Sequence, residues 1–157
     1  MGRISIVVAR MFLGVCFLVF GGDKVFGGEF MAKGSLAAWS QTQLAGGKVF
    51  AFYRPFLENI VIPNDRLFAI AVAFGEFALG IALVAGVMLR PAGALGILLV
   101  ASICFSSAAP PPNAEFSMIL GSVLQFATLA LLMFIFAANA DDKKPGSGSR
   151  SKKKEKD

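Results

Sequence analysis

The chain has 157 residues, 56% of them hydrophobic and only 16% charged, and a mean hydropathy of +0.70. Soluble domains run at about 45–50% apolar and about 25% charged, so a disordered chain and a disulfide-rich mini-protein are excluded and a soluble globule is disfavoured. The formal charge is +5 and there is no histidine, so no His-ligated haem, His-bearing zinc site or Ser-His-Asp triad can be built from this chain alone.

A membrane-crossing helix needs about 20 mostly apolar residues, and four stretches qualify. The first, about 4–22, carries Arg10 alone. It has the length of a signal peptide, but no A-x-A cleavage pattern follows it, and it reads as an uncleaved helix. Residues Asp23–Arg66 form a long loop, an uncommon feature that often has a function. Within it, Ser35–Leu44 reads as a short helix with Ser35 as N-cap. Val49–Ile62 is too short and too charged to span and too apolar to float freely. The only Trp (Trp39) and the only Tyr (Tyr53) also lie in this loop. Amphipathic aromatics settle at headgroup level, so Val49–Ile62 is expected as an interfacial segment, lying on the surface or dipping back to roof the bundle.

The second span, about 67–89, carries Glu76. The third, about 91–109, and the fourth, about 116–138, are uncharged. Arg90 and Pro91 separate the second from the third, and Pro91 suits a first helical position because it has no N–H to leave unpaired. Pro110, Pro111 and Pro112 end the third. The expected fold is an all-α integral membrane four-helix bundle over residues 1–138, with a basic, disordered tail over 139–157. That tail holds seven Lys/Arg against four acids. Four spans put both termini on one side, and the positive-inside rule places that side in the cytoplasm. The tail suits anionic lipid; nucleic acid is not expected as a partner.

Glu76 is the residue that most needs explaining. A charge at mid-span costs at least about 2.5–3.5 kcal/mol, so the carboxyl should face inward. Protonation, a cation or a polar pocket would each lower the cost. Arg10, Lys24 and Arg54 are candidate cations, Arg10 lying about 10 Å too deep by helix rise. Gln125 and Thr128 are candidate hydrogen-bond partners from the fourth span. Small residues (Ala78, Ala82 and Gly86; Ser102 and Ser106; Ser117 and Gly121) indicate close helix packing. Cys16 and Cys104 lie at similar depth, open to a role as small hydrophobes or as a redox pair.

Three segments in order then resemble a known pattern: Arg10 ahead of LGVCFLVFGGDK, then FYRPFLENIVIPN, then GEFALGIALVAGVMLRPAGALG with Glu76 and Arg90. Together they resemble the DoxX/DoxD family of small four-helix membrane proteins, the second and third looking most like its DoxD side. The resemblance implies a bacterial or archaeal cytoplasmic (inner) membrane protein. It also implies a subunit of a quinone-linked redox system, such as the DoxD-type subunit of thiosulfate:quinone oxidoreductase. Arg10, Asp23, Lys24, Glu76 and Arg90 match the family's recurrent polar positions. On this reading Glu76 is the candidate catalytic residue. Arg10, Lys24, Tyr53, Arg54 and Gln125 would line a quinone pocket, no metal is held, and a partner redox subunit or a homo-oligomer completes the assembly. A non-catalytic scaffold or assembly factor, and a small transporter or proton path through Glu76, are the alternatives.

Overall fold

The computed structural model describes residues 3–111 and 116–139, and every element in them is helical. In chain order these are α1 (Arg3–Phe26), α2 (Ser35–Ala45), α3 (Arg54–Phe56, passing directly into one π-helical turn, Leu57–Val61), α4 (Asp65–Ala85), α5 (Leu89–Ser107) and α6 (Phe116–Ala138). α1, α4, α5 and α6 are long and apolar enough to cross a membrane, and together they form the expected all-α bundle. Pro112 and, apart from Asn139, the basic tail expected over 139–157 lie outside the described residues.

α1 packs antiparallel on α4, α4 on α5, and α5 on α6. The closest approach is between α1 and α4. A Cβ placed on Gly21 would stand 2.5 Å from the Phe77 nitrogen, and one on Gly80 would stand 2.6 Å from the Leu18 nitrogen. With no side chain at these positions the two backbones come almost into contact, which is how helices associate where water supplies no driving force. Gly93 and Gly96 of α5 admit Ala137 and Met133 of α6 in the same way. On its other face α1 exposes Ile4, Val8, Phe12, Val15 and Val19 at three- to four-residue spacing, an apolar stripe for the hydrocarbon.

Of the small residues the sequence singled out, Ala82 and Ser106 do pack inward, but others do not. On α4, Ala78 is exposed, whereas Ala69, Ala73, Glu76, Gly80 and Leu83 are buried. A strict four-residue step winds away from one face of a 3.6-residue helix, while a mixed three- and four-residue step stays on it. Among the described residues, the hydroxyls of α5 and α6 that hydrogen-bond do so within their own helix. Ser106 and Ser107 both bond the Ile103 carbonyl, and Thr128 bonds that of Leu124.

The break between the second and third spans also moves. α4 ends at Gly86, in the left-handed region at φ 70°, where the Gly86 and Val87 N–H groups both donate to Ala82 O. Met88 follows at φ 51°, so α5 starts at Leu89 and takes Arg90 and Pro91 into its first turn. Proline is tolerated there because first-turn N–H groups have no partner in the helix.

Two apolar clusters result. One draws on all four long helices: Leu13, Leu79, Leu83, Ala92, Leu99, Met133 and Phe136. The other lies where the long loop meets the first half of α4: Leu36, Leu57, Val61 and Ala69, flanked by Phe30, Tyr53 and Phe68. The loop therefore folds back against α4 as a helical roof. Gly34 serves as the N-cap of α2 in place of Ser35, and its N–H donates to the Asp65 carboxylate at the start of α4. Phe50 N–H donates to Phe105 O at 3.0 Å and Ala109 N–H to Lys48 O at 2.8 Å, fastening the roof to the end of α5. Phe50, Phe52 and Tyr53 surround the Phe105 ring at 5.0–6.0 Å between centroids.

If backbone contact between α1 and α4 governs the fold, Gly21→Ala and Gly80→Ala should each destabilise the protein by about 1–3 kcal/mol through overpacking. Gly75→Ala should be tolerated, since its Cβ would meet only Leu99 at an ordinary 3.7 Å. Unfolding in mixed micelles measures all three.

Candidate functional site

Glu76 lies in the middle of α4, eleven residues or about 16 Å from its first residue. It stands between the two apolar clusters, one turn from Leu79 in the first and two turns from Ala69 in the second. Its side chain is 3% exposed, and the Lys24 ammonium donates to its Oε2 at 2.5 Å. Both parts of this geometry follow from local packing. The close approach at Gly21 sets the end of α1 level with Phe77 and Glu76, and Lys24 is one turn further on. The Phe26 ring closes the join by an edge-to-face contact on Phe77 at 5.7 Å. Lys24 also occupies the last turn of α1, where the helix dipole favours a cation.

The two partners are not equally enclosed. Lys24 is 26% exposed against 3% for Glu76, and its ammonium lies 5.1 Å from the centroid of the Phe30 ring, at the start of the loop. A cation over an aromatic face is held by the ring quadrupole. The arrangement thus has a closed end, the carboxylate, and an end open toward the roof, the ammonium. Chemically it can hold a proton at Lys24 Nζ beside a fixed negative charge.

The other residues singled out from sequence fall elsewhere. Arg10 lies against Gly86: a Cβ on that glycine would be 2.6 Å from its Nη1. Gly86 is ten residues from Glu76, roughly 15 Å along α4, so Arg10 does not serve the carboxylate. Its guanidinium instead faces the C-terminal end of α4, the negative end of the helix dipole, with its Nε buried and unpartnered among the described residues. Arg54 is exposed and bonds Glu58 at 2.9 Å, one turn away in the roof; local pairing has taken the charge that sequence alone offered to Glu76. Tyr53 is half-buried in the aromatic cluster, against Phe52, Phe56 and Phe105. Gln125 and Thr128 are exposed on α6, and neither hydrogen-bonds Glu76. Cys16 and Cys104 are free thiols. Of the expected polar pocket, only Lys24 and Glu76 are brought together.

Sequence reasoning passed over Phe30 and Gly21, which complete the site. Gly21 had a signal in GGDK, two glycines just before a charged pair at a helix end. Phe30 had none, because its place depends on how the loop returns. A separate cavity of about 350 Å³ lies at the loop end of the bundle, lined by Gly46, Gly47, Lys48, Ser107, Pro110 and Met118 among others, and shares no residue with the ion pair.

Removing one partner of a buried pair leaves the other charge uncompensated, at a cost of about 3–5 kcal/mol. Because the two are unequally buried, the losses should be unequal. Lys24→Met strands the enclosed carboxylate and should cost about 3 kcal/mol. Glu76→Gln leaves an ammonium that can reach water and should cost about 1 kcal/mol. The double variant should recover most of the Lys24→Met loss, as a double-mutant cycle by micellar unfolding will measure.

A model of the DoxX family matches residues 5–108, from α1 to the end of α5. No curated protein and no solved structure matches the chain. The matched region covers more than half of the sequence and contains both members of the ion pair, the roof and the close contacts at Gly21 and Gly80, and the chain belongs to the DoxX family.

Proposed function

We propose that this protein is the membrane subunit of a quinone-linked oxidoreductase of the DoxD type, with its termini in the cytoplasm, and that Lys24 and Glu76 handle the quinone's protons. The observation that carries this reading is the unequal burial of the pair, 26% against 3%. A carboxylate sealed in the bundle holds an ammonium whose other side is open, and the Phe30 ring lies beside that ammonium. The residues fit a quinone head: Lys24 can donate a hydrogen bond to a ring oxygen, and Phe30 offers an apolar face. A quinone held there would supply a two-electron, two-proton acceptor. The electrons come from a partner redox subunit that oxidises thiosulfate. Lys24 would give up a proton from Nζ and regain one from the roof side, twice for each quinone reduced. Glu76 keeps the amine oriented through its Oε2.

The scaffold reading rests on the same pair seen differently: a buried ion pair at the junction of two clusters fixes helix register and needs no reaction. One substitution separates the two readings. Lys24→Arg preserves the charge pairing but removes the exchangeable proton, because a guanidinium is not deprotonated in proteins. In membranes carrying this chain and its partner, with thiosulfate as electron donor, Lys24→Arg and Glu76→Gln should each slow quinone reduction about a hundredfold, the lower range for lost acid–base catalysis, with the protein still folded and inserted. Rates equal to wild type in both variants would remove the pair from the mechanism and leave the scaffold.

A further inference from the structure

Gln125 is the tenth residue of α6, about 14 Å along the helix from Phe116 and farther still from its other end. Its side chain is exposed, and among the described residues its amide makes no hydrogen bond. The amide carries two N–H donors and an acceptor oxygen, and hydrocarbon satisfies none of them. Thr128, the next polar group on the helix, has solved the same problem by bonding Leu124 O at 2.8 Å. Gln125 has not.

The direction of this side chain is informative. Gln125 and Phe136 are eleven residues apart, three full turns, and so share a face of α6. Phe136 is 2% exposed within the four-helix core, whereas Gln125 is exposed. The packing face of α6 thus continues toward the loop end beyond the part that the bundle covers. Gly121, one turn from Gln125, has nothing within 4 Å of where its Cβ would stand.

We propose that a second copy of this chain covers that face, in a two-fold dimer through α6 with its axis along the membrane normal. Both copies insert in the same orientation, so such an axis sets each residue opposite itself at equal depth. Gln125 then meets Gln125, and each amide donates to and accepts from the other. Neither an acyl chain nor a quinone matches as well. An acyl chain offers neither donor nor acceptor. A small molecule bearing only carbonyls accepts but cannot donate, leaving the amide oxygen bare. Gly121 lets the two α6 backbones approach where the amides must meet. The dimer does not depend on the quinone reading.

The test uses the full chain in liposomes at low protein-to-lipid ratio, with Cys16→Ala and Cys104→Ala to remove the native thiols. Under mild oxidation Gly121→Cys should give mostly disulfide-linked dimer. Ala127→Cys, exposed on the opposite face of α6, should remain monomeric. By energy transfer between labelled copies, Gln125→Leu should weaken the dimer about threefold to twentyfold, the range of interhelical polar contacts in bilayers, and Gln125→Asn should restore part of the loss. Equal cross-linking at both positions, or an unchanged dimer in Gln125→Leu, would overturn the proposal. So would a monomer in which added lipid or quinone shields Gly121→Cys from a maleimide, which would assign the face to that ligand.

Discussion

A carboxylate placed in the apolar middle of a helical bundle has to be answered by a cation, and the cation has to come from somewhere the chain can hold it still. Here it comes from the last turn of α1, and Gly21 makes that possible. The missing side chain lets α1 lie against the α4 backbone at Phe77, which sets Lys24 within reach of Glu76. A longer residue at Gly21 would separate the helices and leave the acid unanswered. The glycine contact and the ion pair are therefore one constraint: the first fixes the depth of α1 and the second makes that depth the stable one.

The roof follows from the same constraint. α1 draws level with α4 only as far as the region of Glu76, so the first half of α4 is left without α1 at its side. The loop fills that space. α2 and the turn at Leu57–Val61 supply the apolar surface, and the Gly34–Asp65 and Phe50–Phe105 hydrogen bonds fix both ends. Glu76 is thereby enclosed between two separate clusters, and Lys24, next to Phe30, is the part of the pair nearest the loop.

Most of this architecture was legible in the sequence, because crossing a membrane leaves few options. Four apolar runs, a buried acid that must turn inward and an aromatic loop that must pack somewhere are compositional facts. What was not legible were the partnerships. Depth arithmetic discounted Arg10 correctly but could not choose Lys24 over Arg54, because that choice depends on Arg54 finding Glu58 one turn away. The position of Gln125 was equally hidden. A helical wheel gives its face, and only the way α6 lies against α5 decides whether that face is covered. The small-residue stripe of α4 misled because regular four-residue spacing catches the eye, while burial follows the 3.6-residue turn.

The DoxX-matched region holds at its core a carboxylate kept inside the bundle by one lysine. Infrared difference spectroscopy of the protein in lipid bilayers, wild type against Glu76→Gln, tests this most directly. The Glu76 carboxyl band isolated by this difference should move when Lys24→Met removes the ammonium that donates to Oε2. A Glu76 band indifferent to Lys24 would contradict the pairing.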